Sequence, residues 1–167
     1  MKPSDLVVTK WAARYRGRSF SCAIGRGGIG AKLGEGDGVT PVGLYRLCLI
    51  GLRPDRVSLY SDVPQRPIGP RDIWSDDPKH DGYNSWQKGP FARFSHEALR
   101  RSDHLYDLIG VLDFNWPEAS PGAGSAIFLH TWRKPRHPTE GCIAFDPGVV
   151  AHICATWDPR ARVVIRC

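Results

Sequence analysis

The chain has 167 residues and a formal net charge of +6 at pH 7, a length that suits a single domain over residues 1–167 able to fold on its own core without a disulfide or metal staple. Hydrophobic residues at 41% and charged residues at 24% exclude a low-complexity polymer or an acidic tail, and no apolar run approaches the roughly 20 residues that cross a bilayer. The positive charge suits anionic partners, but it is spread along the chain, and net charge alone gives no ground to expect a nucleic acid.

Leu6–Lys10 and Ser19–Ile24 read as strands, with a turn near Arg16-Gly17. Residues 25–43 form a glycine-rich connection, and Leu44–Ile50 is a third strand. From Arg53 to Pro90 the density of Pro, Gly, Asp and Asn predicts a long irregular loop, of the kind that often walls a substrate site. Ser95 is placed to cap a short helix running through Arg101, with Glu97 in its first turn. Leu105–Phe114 and Ala126–His130 are strands. Asp146 followed by Pro147 is an N-cap and first-turn pair, so Gly148–Thr156 is expected to be a helix. Arg162–Arg166 closes the chain as a strand. Many strands and few short helices argue for a mostly β sandwich or barrel.

Two motifs are decoys. Gly25-Arg26-Gly27-Gly28-Ile29-Gly30 satisfies the dinucleotide fingerprint, yet the residues after it are too glycine-rich to start the helix that would hold a pyrophosphate. His96-Glu97 opens a zinc-protease motif, but position 100 is Arg. The five cysteines, Cys22, Cys48, Cys142, Cys154 and Cys167, contain no C-x-x-C pair, and their spacing sets no disulfide pairing. No metal and no organic cofactor is expected.

Chemistry concentrates near the C-terminal third. Ile127-Phe128-Leu129-His130 is an apolar strand ending in a titratable residue, and a Pro- and Arg-rich loop leads back to Gly141-Cys142. A thiol becomes a nucleophile as thiolate, and a nearby imidazolium lowers its pKa. A Cys–His pair is therefore the smallest acyl-transfer engine. Gly141 lets the backbone turn and a substrate approach, and the N–H groups of Gly141 and Cys142 are candidate oxyanion donors.

Gly124-Ser125-Ala126-Ile127-Phe128-Leu129-His130 together with Pro138-Thr139-Glu140-Gly141-Cys142-Ile143-Ala144 resembles the active-site signature of YkuD-type L,D-transpeptidases. Gly36-Asp37-Gly38-Val39-Thr40-Pro41-Val42-Gly43-Leu44-Tyr45 resembles an upstream block of the same family. Asp72-Ile73-Trp74-Ser75-Asp76-Asp77, Tyr83-Asn84 and Asp103-His104-Leu105-Tyr106-Asp107 resemble further blocks of a proteobacterial branch. The resemblance implies a mostly β domain that cross-links peptidoglycan stem peptides through a Cys thioester, of 3,3 or 1,3 type, in the bacterial periplasm or cell envelope.

Carried over by residue, Cys142 is the nucleophile and His130 the base. The Thr131 carbonyl, or a neighbouring one, orients the imidazole, and Thr139 stabilises the loop before Gly141. Two positions depart from the commoner pattern. Glu140 stands where many members have His, and an acid there is expected to raise the thiol pKa. Ala144 replaces a common Arg or Asn, so Arg133, Lys134 or Arg136 is expected to supply a carboxylate clamp. Tyr83 and Trp132 are expected at the substrate, and carbapenems are expected to add at Cys142. Hydrolytic release of the thioester, giving a carboxypeptidase or endopeptidase, is the alternative. A non-catalytic peptidoglycan-binding module stacking sugars on Trp74, Tyr83, Trp86 and Trp132 is a further one.

Overall fold

Eighteen glycines and fourteen prolines cut the chain into short apolar pieces, so it builds many strands of two to six residues. A computed structural model describes residues 2–89 and 93–167. In chain order the elements are β1 (Leu6–Val8), β2 (Ala13–Tyr15), β3 (Arg18–Phe20), β4 (Ile29–Gly30), β5 (Thr40–Pro41), β6 (Gly43–Tyr45), β7 (Leu47–Leu52), β8 (Gln65–Pro67), β9 (Asp72–Ser75), β10 (Ser85–Lys88), β11 (His96–Ala98), β12 (Leu108–Leu112), β13 (Phe128–Thr131), β14 (Ile143–Phe145), α1 (Pro147–Ala155) and β15 (Val163–Ile165). The fold is mostly β, as composition and turn density imply.

Three sheets stack around two cores. One has the order β3-β2-β1-β15-β6 and the central one β14-β13-β12-β7-β8, and a three-stranded sheet β10-β9-β11 lies beyond it. The side chains of β12 show why. Leu108 and Leu112 join Leu6, Val8, Val163 and Ile165 of the first sheet in one core, whereas Ile109 and Val111 meet Trp74, Leu99 and Phe128 in the other. A central sheet covered on both faces needs an uninterrupted apolar run, and Leu108–Leu112 supplies one. Trp74 is 1% exposed and meets Phe128 edge-to-face at 5.0 Å, so the outer core is anchored by aromatic area.

Helix α1 starts where its cap predicts. The Asp146 carboxylate accepts the Gly148 N–H at 2.9 Å, Pro147 opens the helix, and Val150, Ile153 and Cys154 face inward. The turn at Arg16-Gly17 also forms. Both residues have positive φ, 47° and 76°, which matches the right-handed twist of the hairpin β2–β3.

Four expectations change. The strand read as Leu44–Ile50 is two strands in two sheets, β6 and β7. Arg46 stands at the corner, its N–H and guanidinium both donating to Asp113. The helix expected over Ser95–Arg101 is strand β11, paired antiparallel with β9. His96 and Ala98 face out while Glu97 and Leu99 turn inward, a period of two that so short a segment satisfies more readily than a costly helix nucleus. The long loop from Arg53 carries β8, β9 and β10; its expected last residue, Pro90, lies outside the described residues. Strands β2 and β14 were not expected, being three residues long and without a periodic signature. Residues 25–43 hold no helix, and all five cysteines are free thiols.

Candidate active site

Parity places the site. Strands β13 and β14 run parallel with Leu129 opposite Ile143 and His130 opposite Ala144. Leu129 and Ile143 enter the inner core, so Phe128, His130 and the residue before Ile143 belong to the other face. That residue is Cys142. The Phe128 N–H points at its Sγ at 3.3 Å, and Sγ–H donates to the Ala126 carbonyl at 3.0 Å. Ala126 itself sits at φ 54°, an orientation held by Asn84, whose Oδ1 accepts the Ala126 N–H at 3.0 Å and the Trp74 Nε1–H at 2.9 Å.

The loop before Cys142 is braced from both sides. The Thr139 hydroxyl donates to the Cys142 carbonyl at 2.6 Å and accepts the Gly141 N–H at 3.1 Å. Buried Thr40 donates to the Gly141 carbonyl at 2.8 Å and accepts the Gly25 N–H at 2.8 Å. The glycines of the false dinucleotide motif serve this packing: a Cβ on Gly25 would sit 2.0 Å from the Gly38 carbonyl oxygen. Asp37 ties the adjoining turn by accepting from Leu33 N–H, Val39 N–H and the buried Lys32 ammonium at 2.6 Å. Burial opposes its charge, but these donors win and pull its carboxyl down to about 2. Thr40→Val keeps the shape while leaving the Gly141 carbonyl and Gly25 N–H unpaired. Urea denaturation should show a loss of about 2–3 kcal/mol.

The thiol and the imidazole share a cavity of about 240 Å³, lined also by Glu97, Arg101, Leu105, Tyr106, Arg133, His137, Pro138, Thr139 and Glu140. His130 Nδ1 lies 2.7 Å from the Thr131 carbonyl. A carbonyl only accepts, so Nδ1 carries the proton and Nε2 keeps a lone pair. Burial pushes the imidazole down to about 4 against that hydrogen bond, and His130 is neutral at pH 7. Burial also pushes the Cys142 thiol up to about 12, and the charge of Glu97 adds to the effect, while the Phe128 N–H and Lys32 oppose it. The resting site is thus a neutral thiol beside a neutral imidazole. The imidazolium expected beside the thiol is absent because burial penalises both charges.

This has a consequence for acid stability. The unfolded chain takes up a proton at the ordinary histidine value of 6.5, but the folded chain does so only near 4. Stability contributed by a neutral His130 is complete above pH 6.5 and is lost as pH falls from 6.5 to 4, a change on the order of 3 kcal/mol. Urea midpoints at pH 7 and pH 4 should therefore separate more in the wild type than in His130→Gln.

Of the residues singled out from sequence, Cys142, His130, Arg133, Thr139 and Glu140 line the cavity. Thr131 contributes its carbonyl, its side chain falling on the opposite face of β13. Gly141 supplies the turn, at φ 142°, but its N–H is held by Thr139 and is not a free oxyanion donor. Tyr83 is displaced from its expected place: it is 5% exposed, donates to Glu35 and accepts the Gly124 N–H at 3.0 Å, so it struts a loop. Arg136 reaches Ser21 Oγ at 3.3 Å and lines a separate hollow with Trp11 and Cys22. Trp132 lies past the end of β13, its N–H donating to the Phe145 carbonyl, and does not line the cavity. Trp74 is buried in the outer core, leaving no face for a sugar. Glu140 is drawn away to Arg26 at 2.8 Å, and the acid that raises the thiol is Glu97.

Glu97, Arg101 and Lys32 were not found as site residues by sequence reasoning, while Thr40 and Tyr106 lay in the quoted blocks Gly36–Tyr45 and Asp103–Asp107 with no role attached to them. Among the described residues no group of three His, Cys, Asp or Glu side chains could hold a metal ion, and no helix is long and apolar enough to cross a membrane.

A layered, mostly β domain that sets a thiol and an imidazole on one face of a parallel strand pair defines a class of cysteine-bearing cleft proteins. The model of the YkuD family, the L,D-transpeptidase catalytic domain, matches residues 6–165, and the chain belongs to that family. The family acts on peptidoglycan stem peptides. No curated protein matches the chain.

Proposed function

We propose that the chain is a peptidoglycan L,D-transpeptidase of the bacterial envelope, active as one domain over residues 1–167, with Cys142 as nucleophile and His130 as base. The observation that carries this reading is the Nδ1–H···O=C bond to Thr131, which leaves Nε2 as a bare acceptor in the cavity that holds Sγ. Because both groups rest neutral, the thiol proton passes to Nε2 as Sγ attacks. Sγ bonds to the carbonyl carbon of an L-configured centre. The C–N bond to the following D-residue breaks, and the amine departs with the proton from Nε2. An acceptor amine then attacks the thioester, gives a proton to Nε2, and the thiol is restored as the C–S bond breaks.

Arg133 is the carboxylate clamp in this reading. It is exposed at the cavity, and a guanidinium fork suits a carboxylate. Of the three cationic residues expected to serve, Arg136 is drawn to another hollow and Lys134 does not line this one. The ordered blocks at Asp72–Asp77 and Asp103–Asp107 support a place in the proteobacterial branch, and with it a 1,3 or a 3,3 cross-link.

Mass spectrometry of products from defined tetrapeptide muropeptides tests the reading. Cross-linked dimers are expected, with release of the terminal D-residue for a 3,3 bond or of the stem beyond residue one for a 1,3 bond, and their fragmentation gives the bond position. Shortened stems without dimers would replace transfer by hydrolysis, and unchanged substrate would overturn both.

A further inference from the structure

Glu97 has no part in that chemistry, yet it lines the same cavity as Cys142 and His130. It sits in the middle of β11, turned inward between exposed His96 and Ala98. The Tyr106 hydroxyl donates to its Oε2 at 2.5 Å, and the Tyr106 ring meets the His130 ring edge-on at 5.3 Å, so the carboxylate is fixed relative to the imidazole. Its Oε1 takes no hydrogen bond from the described residues and is not sealed from solvent. Arg101 is nearby, but its Nε and one terminal nitrogen are bound by Asp103 at 2.9 and 2.7 Å. Arg133 has no ion-pair partner among the described residues. The cavity thus presents one unpaired carboxylate oxygen and one unpaired guanidinium.

A half-buried carboxylate short of donors is complemented by a cation, and a free guanidinium by an anion. A short ligand with both an ammonium and a carboxylate satisfies the two together; a dicarboxylate or a diamine satisfies one and opposes the other. We propose that Glu97 is a specificity-determining residue that receives an ammonium group of the substrate, with Arg133 receiving a carboxylate of the same ligand. The proposal rests on the reading of this cavity as the transpeptidase site. It also gives the acid beside the thiol a purpose. Unoccupied, Glu97 disfavours the thiolate; an ammonium seated on it cancels that charge, so the nucleophile is eased toward ionisation when the correct substrate is in place.

Backbone amide NMR titration of the full chain tests this, following Leu105, Tyr106 and Thr139. The probes are meso-diaminopimelate, pimelate (the same carbon chain without ammonium groups) and 1,5-diaminopentane (the same chain without carboxylates). The dissociation constant for meso-diaminopimelate is expected to be at least about tenfold lower than for either control, equivalent to about 1.4 kcal/mol. Glu97→Gln, which retains an acceptor for Tyr106, should erase the advantage over pimelate, weakening meso-diaminopimelate by at least about tenfold while pimelate, no longer opposed by the Glu97 charge, binds as well or better. Equal binding of meso-diaminopimelate and pimelate by the wild type, no shift with meso-diaminopimelate, or unaltered meso-diaminopimelate affinity in Glu97→Gln would each overturn the proposal. If the variant does not fold, the wild-type ranking of the three probes decides. A lost ranking with dimers still formed removes the role of Glu97 alone; an intact ranking without dimers removes the transpeptidase reading and leaves the ammonium site.

Discussion

Cys142→Ala is expected to form no cross-linked dimers from stem peptides, a fall of at least about a thousandfold in rate, with the fold retained. The substitution deletes only Sγ, the atom that makes and breaks the acyl bond in the proposed mechanism. No other thiol can stand in: Cys22 and Cys154 are buried, while Cys48 and Cys167 lie outside the cavity. The structural loss is small, since Sγ makes one weak donation to Ala126 and accepts one N–H from Phe128. Chromatography of the products with circular dichroism of the same sample checks both halves. Dimers formed at the wild-type rate would exclude a thioester on Cys142.

Gly141→Ala is expected to lower transfer by roughly a hundredfold, a scale set by small misplacements of reacting groups, and stability by about 2–4 kcal/mol. At φ 142° the backbone occupies a region that side chains rarely adopt, and a Cβ there would lie 2.9 Å from the Val39 carbonyl oxygen and 3.4 Å from Ile127 Cδ1. Neither neighbour yields readily. Val39 lies in the turn tied by Asp37, and Ile127 is in the inner core. The loop must shift, and Cys142 with it, weakening the Thr40 and Thr139 hydrogen bonds that brace it. Urea denaturation and initial rates measured on one preparation separate the two effects. A variant as stable and as active as wild type would show that the glycine conformation is not required.

Several features were legible locally because local forces decide them. The Asp146-Pro147 cap starts α1, the Arg16-Gly17 turn closes its hairpin, and the apolar run at Leu108–Leu112 becomes a central strand. The candidate pair was legible for a different reason. Cys142 follows a glycine, His130 ends an apolar strand, and both lie within a block pattern that resembles one family. Where local signals were weak the reading failed. Ser95 and Glu97 suggested a helix, but pairing with β9 and burial of Leu99 outweighed so short a helical propensity. Leu44–Ile50 looked continuous because a change of sheet at Arg46 leaves the apolar pattern intact.

By itself the sequence determined a mostly β chain, and its resemblance to one family's block pattern singled out the thiol and imidazole proposed to react. These depend on composition, turn chemistry and residue type, which neighbouring residues express without help. Only the tertiary structure decided which charges meet that thiol. Glu97 and Tyr106 reach it from strand β11 and the stretch before β12, Lys32 from the glycine-rich connection, and Tyr83 is taken from the substrate into a loop strut. Ionisation in a half-buried cavity depends on desolvation and on charges brought close through space, and strand pairing across many residues sets both.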